Sequence, residues 1–563
     1  VALRDGSWHF PPAVEVRLPQ SIHDIVLRRV GRLSKASQDA LRLAAVLGQQ
    51  FSFTDLMAVA EQAEDQLLES LDEALERDLI RELDTGGTLS FSHTEIQQVI
   101  YEALSPLRRR ALHRRAGLAL EEWHASNMDA IAGQLAYHFI QAGDREKAFA
   151  YSLQAAQRAQ LLHAHQDALS WYTQALGYLT DTEAYAAKRV DLYEGLGAML
   201  QMQARFTEAI ATYTAMRSAS ESIGDTAAQA RAWRGLSGAN NSLGDHHSAL
   251  ECAQRAEHMA RVADAKIEIA ASIQGQGWAM YKMGNPEAAL AFGQQALDLS
   301  RTLNARNEMA LSLNLLGAVS DLLGHYDQAN LYWWEALALY REMGNRTRVG
   351  VILSNLGDTA RMRGDYHTSV SLLQEALSIA REMENREGEM TYMNNLGGAW
   401  VGLGEFRAAE TELRQVIRMP EAARWGTLSE TYCFLAEACM RQGKLNEALE
   451  AARQALELGQ QRDRPEFIGA AWRVLGMVVS HFHDVLEHDE EAGNASEYFA
   501  RSAEVFSDIP MDGERARTLR EWAEHERHRG DAARSQEMWR ESLQLFNQLG
   551  MELEVERMQS RAE

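Results

Sequence analysis

Along most of the chain, apolar residues recur with helical spacing, as at Leu372, Leu373, Ala376, Leu377 and Ile379. The pattern then repeats. Ser354 opens SNLGDTARMRGDYHTSVSLLQEALSIAREM; forty residues earlier stands NLLGAVSDLLGHYDQANLYWWEALALYREM, and forty later NNLGGAWVGLGEFRAAETELRQVIRMP. Gly277, Gly317, Gly357 and Gly397 keep this period, as do Gly284, Gly324, Gly364 and Gly404. A fixed period of this size marks a solenoid whose units bury their apolar faces only against neighbours. The first glycine of each unit sits inside a helix, where it costs about 1 kcal/mol against Ala, so close approach of a neighbouring helix is expected there. The second falls where a left-handed helix end suits Gly and precedes helix-starting residues, as in Gly364-Asp365 and Gly284-Asn285-Pro286. Ala289, Ala329 and Ala409, with Ala296, Ala336 and Ala376, keep the second helix slim. Each unit therefore reads as a helical hairpin.

The first hundred residues follow another pattern. SIHDIVLRRVGRL, SQDALRLAAVLG and EDQLLESLDEALERDL are amphipathic helices, while LIREL and TLSFS alternate as short strands around a turn at Asp84-Thr85-Gly86-Gly87. Helices followed by a hairpin suggest a winged helix, with one hairpin near residues 79–91 as the only sheet.

The order Leu-Gly, turn Gly, then Ala, an aliphatic or aromatic residue and Ala resembles the tetratricopeptide repeat. With the in-helix position counted as 8, units centre on Gly197, Ser237, Gly277, Gly317, Gly357, Gly397, Ala436, Gly476 and Ala523. The resemblance implies an all-α fold, a right-handed TPR superhelix of about 40-residue hairpins behind the winged helix. Further, LPQSIHDIVLRRVGRLSKASQDALRLAAVLGQQF and FSHTEIQQVIYEALSPLRRRALHRRAGLALE resemble the segment following the nucleotide-binding core of bacterial STAND signal-transduction ATPases of the maltose-regulator type. That likeness implies the carboxy-terminal part of a larger switch ATPase using ATP or ADP with Mg, cut just after its motor. The ATPase module would then be a partner in cis, with oligomerisation on activation. It also implies that His93 of FSH senses nucleotide phosphates; the alternative is a helix-capping role for His93. The expected domains are a remnant or linker over 1–20, a winged helix over 21–105, a connecting helical arm over 106–180 and the repeat array over 181–563.

Charge and chemistry narrow the function. The 563 residues carry 56 basic and 80 acidic side chains, a net charge of −24, which repels nucleic acid and anionic membrane outside a localised basic patch. The single basic run, Arg108 to Arg115, leaves DNA contact by the winged helix as a lesser alternative to docking on an acidic protein surface. Three cysteines (Cys252, Cys433, Cys439) read as reduced thiols of a cytoplasmic protein, with Cys433 and Cys439 in the core. No apolar run approaches the roughly 18 residues of a membrane helix. His481, His483, His488, His525 and His528 lack a metal-ligand set and read as surface residues. No GxxxxGK[ST] loop, GxSxG elbow or nucleophile–base pairing occurs, so neither catalysis nor a cofactor is expected of these residues.

What remains is binding. In tetratricopeptide arrays the first helix of each unit lines the concave face through positions 2, 5, 9, 12 and 13. That register selects Arg231, Arg234 and Asn241, then Gln274, Trp278, Tyr281 and Lys282, Asn314 and Asp321, Ser354, Asp358 and Arg361, and Asn394. These residues suit a small polar molecule, a peptide or a protein. The expected function is a sensor relaying occupancy through the winged helix; the alternative is a scaffold that assembles proteins without switching.

Overall fold

The computed structural model describes residues 2–4, 7–9, 20–60, 62–83, 87–162, 164–179, 185–383, 385–420, 422, 426–482, 494–509 and 511–562. It falls into two compact units, Val1–Leu243 and Gly244–Glu563.

In the first unit, strands β1 (Ala2–Arg4) and β2 (Ser7–His9) pair antiparallel. Helices α1 (Gln20–Val30) and α2 (Lys35–Leu47) follow, then β3 (Gln50–Ser52), α3 (Phe53–Val59), α4 (Glu64–Glu76), β4 (Ile80–Glu82), β5 (Thr88–Phe91) and α5 (Thr94–Glu102). The second sheet has three strands in the order β3-β5-β4, all antiparallel. This corrects the expectation of a lone hairpin. Gly48, at φ 140° after α2, turns the chain so that Gln50–Ser52 lies along β5; three residues are too few to show a period. Of the turn residues, Asp84, Thr85 and Gly86 lie outside the described residues. Helices α6 (Pro106–Trp123), α7 (Ala132–Ala142), α8 (Arg145–Leu161), α9 (His165–Gly177), α10 (Ala186–Met202), α11 (Phe206–Ser222) and α12 (Thr226–Leu243) complete the unit, each of α6–α11 packing on the next.

The second unit is helical throughout its described residues. It runs α13 (His246–Val262), α14 (Lys266–Lys282), α15 (Pro286–Thr302), α16 (Arg306–Leu322), α17 (Tyr326–Glu342), α18 (Arg346–Met362), α19 (Tyr366–Glu382) and α20 (Arg386–Leu403). It continues through α21 (Phe406–Arg418), α22 (Leu428–Arg441), α23 (Leu445–Gln461), α24 (Pro465–His481), α25 (Ala495–Asp508), α26 (Asp512–Arg529), α27 (Ala532–Gln548) and α28 (Glu552–Ala562). The chain is thus all-α apart from its small amino-terminal mixed region, with helices packed as consecutive repeat pairs.

The two glycines of each unit act as the pattern implies. A β-carbon on Gly357 would stand 2.8 Å from Leu373, and on Gly397 2.5 Å from Leu413, so these two glycines, like Gly317 before Trp333, admit a side chain sixteen residues on, while Gly277 admits Leu315. Gly284, Gly324, Gly364 and Gly404 end their helices at φ 75°, 75°, 86° and 83°, open to glycine at no steric cost. Outside, an ionic ladder follows the same period: Arg301 meets Glu335 and Arg341 meets Glu375, both at 2.8 Å, while Arg306 meets Glu342 and Arg346 meets Glu382. These pairs are half-exposed, and each contributes about 0–1 kcal/mol.

Candidate ligand-binding groove

Alternate helices of the second unit touch one another in series: α14 meets α16, then α18, α20, α22, α24 and α26 follow, each on its predecessor. No such run joins the second helices of the hairpins among the described residues. The first helices are therefore crowded together on the inner side, and their exposed face is a common wall.

The register places its residues on this wall in two classes. Asn314, Ser354 and Asn394 are buried and already bonded. The Asn314 carbonyl accepts from Trp333 Nε1 at 3.2 Å and from Asn355 at 3.1 Å, and Ser354 Oγ accepts from Asn395. Asn394 accepts from Thr431 and donates to Glu430, both at 2.8 Å. These side chains stitch neighbouring inner helices together.

The second class is only partly covered. Trp278 and Tyr281 meet edge to face with ring centroids 5.5 Å apart, and the exposed Lys282 ammonium lies 5.5 Å from the Tyr281 ring centre. Gln274 lies one turn before Trp278 and is half-buried. Arg361 pairs with Asp358 at 2.7 Å and lies over Phe434, with 11% of its side chain exposed. Asp321 accepts a hydroxyl hydrogen bond from Thr359 at 2.7 Å, and Glu430 accepts from the Asn394 amide at 2.8 Å. Neither forms an ion pair among the described residues. Burial, reinforced by the Asp358 carboxylate, pushes both up to about 7, although the Arg361 guanidinium pulls the other way. Nearby carboxylates differ sharply. Glu514 is held by Arg473 at 2.5 Å and Arg517 at 2.9 Å, and those arginines bring it down to about 2 against the effect of burial.

Several of these groups escaped the initial selection. Glu430, Cys433 and Glu437 occupy positions 2, 5 and 9 of the unit centred on Ala436, Arg473 is position 5 of the next, and Arg517 and Arg520 are positions 2 and 5 of the last. The same register extended three units further finds them. Cys433 is buried, as expected, but it stands among charges, Arg473, Glu430 and Glu514, with its thiol pushed up by burial.

Arg231, Arg234 and Asn241 belong to the first unit, on α12; Arg231 pairs with Glu194 at 3.0 Å and Arg234 is exposed. His93 stands at the N-cap of α5, exposed and without a side-chain cap bond. The basic run is divided. Arg115 donates to the Val59 carbonyl, Arg109 to that of Leu104, and His113 is fully buried, leaving Arg108, Arg110 and Arg114 outside. His525 is a correction to the surface reading, since it is 6% exposed and bonded to Ser480 at 2.8 Å. His528 and His481 are exposed, and His483 and His488 lie outside the described residues. Glu410, Cys439 and Glu447 come within metal-ligand reach of one another, but Glu410 already pairs with Arg414 and Lys444. The sequence contains no GxxxxGK[ST] phosphate-cradling loop.

The pairing of slim hairpins, the glycine seats and the crowded inner wall define tetratricopeptide-repeat architecture. Two models described as tetratricopeptide repeat match residues 348–422 and 429–460. Among solved structures, the chain is similar to a STAND protein with a tetratricopeptide-repeat sensor from Pyrococcus horikoshii, at 14% identity and TM-score 0.50, over 81% of this chain and 68% of that one. It is also similar to the apo quorum sensor NprR from B. thuringiensis (14% identity, 65% and 100% covered, TM-score 0.47). A Rap protein complexed with competence and sporulation factor aligns at 12% identity, 72% and 99% covered, TM-score 0.45. No curated protein sequence matches. At these identities the likeness is one of fold, and no helix among the described residues is long and apolar enough to cross a membrane.

Proposed function

We propose that the second unit is a ligand-sensing array whose inner wall binds an extended peptide or comparable polar ligand. The observation that carries this reading is the pair Asp321 and Glu430, two shielded carboxyls that form no ion pair among the described residues, on a wall where Asp358 and Glu514 are held by arginines. Packing alone has no use for them, because burying a carboxyl without a cation costs free energy, and such groups gather at functional sites. The open end of the wall, with Trp278, Tyr281 and Lys282, supplies aromatic faces and donors for an elongated partner. The winged-helix reading of residues 21–105 rests on the helices α1–α5, a three-stranded sheet and the exposed His93 at the N-cap of α5. In this proposal it relays occupancy of the array to a nucleotide-binding module, as in a STAND switch.

The test is a random-peptide display selection against the chain, followed by calorimetry of the retained peptides. Trp278→Ala and Tyr281→Ala should each weaken binding about tenfold or more, as buried aromatic anchors do. Peptides that bind both variants as well as wild type would move the site off this wall.

A further inference from the structure

The last three helices of the second unit fold back on segments that precede them by 155 to 225 residues, from Arg517 on Met362 to Leu549 on Gly324. Arg517 of α26 donates to the carbonyl oxygen of Met362 at 2.6 Å, and Arg557 of α28 donates to that of Gly364, also at 2.6 Å. Both carbonyls lie at the carboxy-terminal end of α18, where backbone acceptors lack helical partners and the helix dipole favours cations. The Arg557 guanidinium also lies over the Tyr366 ring at 4.5 Å, and Tyr366 donates its hydroxyl to Glu554 at 3.3 Å. Glu554, 1% exposed, is neutralised by Arg520 at 2.7 Å. Beneath these polar contacts Tyr326, Ala516, Phe546, Met551 and Met558 form a small buried core that takes in Met362 and Leu549. Leu549 in turn sits against Gly324, where a β-carbon would meet it at 2.6 Å.

These contacts bring α26, the last member of the inner series, back onto the end of α18. Met362 follows Arg361 directly. Glu514, on the returning α26, faces Arg361, Glu430 and the Cys433 thiol. A ligand reaching Arg361 and Glu430 must part α26 from α18. We propose that α26–α28 form an autoinhibitory clasp, seated on the ends of α16 and α18 and the starts of α17 and α19, that closes the inner wall until a ligand displaces it. This rests on the ligand-sensing reading, but its test needs no ligand.

Cys433 is the reporter, because Glu514 of the clasp is near enough to act electrostatically on its thiol. Cys439 is the control: it is fully buried, and the charges that act on its thiol, Glu410, Arg414, Glu447 and Lys444, all lie outside the clasp. In the full chain carrying Leu549→Asp and Arg557→Ala, neither of which lines the wall, iodoacetamide alkylation followed by mass spectrometry should show Cys433 reacting at least tenfold faster, with Cys439 unchanged. Unchanged Cys433 reactivity would overturn the proposal. So would parallel acceleration of both thiols, which would make these helices part of one cooperative core. Hydrogen exchange on the unaltered chain decides independently of the variants. Amides of 512–562 should open as a unit before those of α19–α23, and a single simultaneous opening would refute the clasp. A clasp that fails here leaves peptide binding untouched, and peptides that ignore Trp278 leave the clasp untouched.

Discussion

Gly317 makes room for Trp333: a β-carbon on the glycine would fall against the indole ring, whose Nε1 donates to Asn314 one turn earlier on the same helix. The pair shows why the repeat tolerates glycine in mid-helix. The loss in helix propensity is offset by a buried tryptophan, 3% exposed, that locks two hairpin helices together. Gly317→Ala should therefore destabilise the second unit by about 1–3 kcal/mol through overpacking. Gly404→Ala has nothing within 4 Å of the new carbon, so only its left-handed backbone at φ 83° resists, at about 1 kcal/mol. Thermal melting of the two variants against wild type checks the order.

Asn314→Ala removes the acceptor of the Trp333 Nε1 and of the Asn355 amide. An unmatched buried donor costs about 1–3 kcal/mol, so this substitution should lower the melting temperature. Trp278→Ala, on the open part of the wall, should leave melting nearly unchanged. The two variants separate residues that build the wall from residues that face its contents.

Asp321 and Glu430 give the second unit an unusual acid limb. Unfolded, their carboxyls titrate near 3.8 and 4.5; folded, both are pushed up to about 7. The folded state thus holds protons that the unfolded state releases, and their contribution to stability falls as pH rises from about 4 to 7, then stays level. Asp321→Asn should stabilise the protein at pH 8, by about 1–4 kcal/mol, and change little at pH 4. Urea titrations at the two pH values test this; an equal effect at both would show that ionisation is not the cause.

The first unit carries the opposite dependence. His113 and His138 are fully buried, with their Nδ1 atoms 3.0 Å apart, and His113 Nε2 meets the Tyr101 hydroxyl at 2.9 Å. Burial lowers His113 to about 4 and His138 to about 3, and proximity to each other and to Arg109 adds to it. Unfolded imidazoles take up protons near 6.5 and the folded ones do not, so stability is lost as pH falls from 6.5 towards 4, by several kcal/mol. His138→Gln should flatten that loss, read from melting curves between pH 7 and 4.5.

How much of this could be read from the letters depends on range. The glycine and alanine periods exposed the hairpins because each records a contact within one unit, sixteen residues apart at Gly357 and Leu373. Strand β3 stayed hidden because Gln50–Ser52 is too short to alternate. The concave register groups Asn394 and Asp358 on one face of their helices, but does not give their different burial. Position 5 is buried at Asn314, Ser354, Asn394 and Cys433, whereas Asp358 at position 9 keeps 37% of its side chain exposed. Glu430 and Arg473 were within reach of the same count. The seat of Arg517 on Met362 was not, since nothing local in either segment encodes a partner 155 residues away.

The ionic ladder along the outer helices has a consequence for how such an array changes length. Arg301, Arg341, Glu335 and Glu375 are interchangeable by translation. If one forty-residue unit between residues 305 and 344 were excised, Arg301 would find Glu375 waiting where Glu335 had been, and Arg346 with Glu382 would slide into the places of Arg306 and Glu342. No charge would be orphaned. The spine is therefore indifferent to copy number, and duplication or loss of a unit is nearly silent for it. The return of the last helices onto one fixed turn is not indifferent. Growth and shrinkage of the array are thus policed by its far end rather than by its repeats.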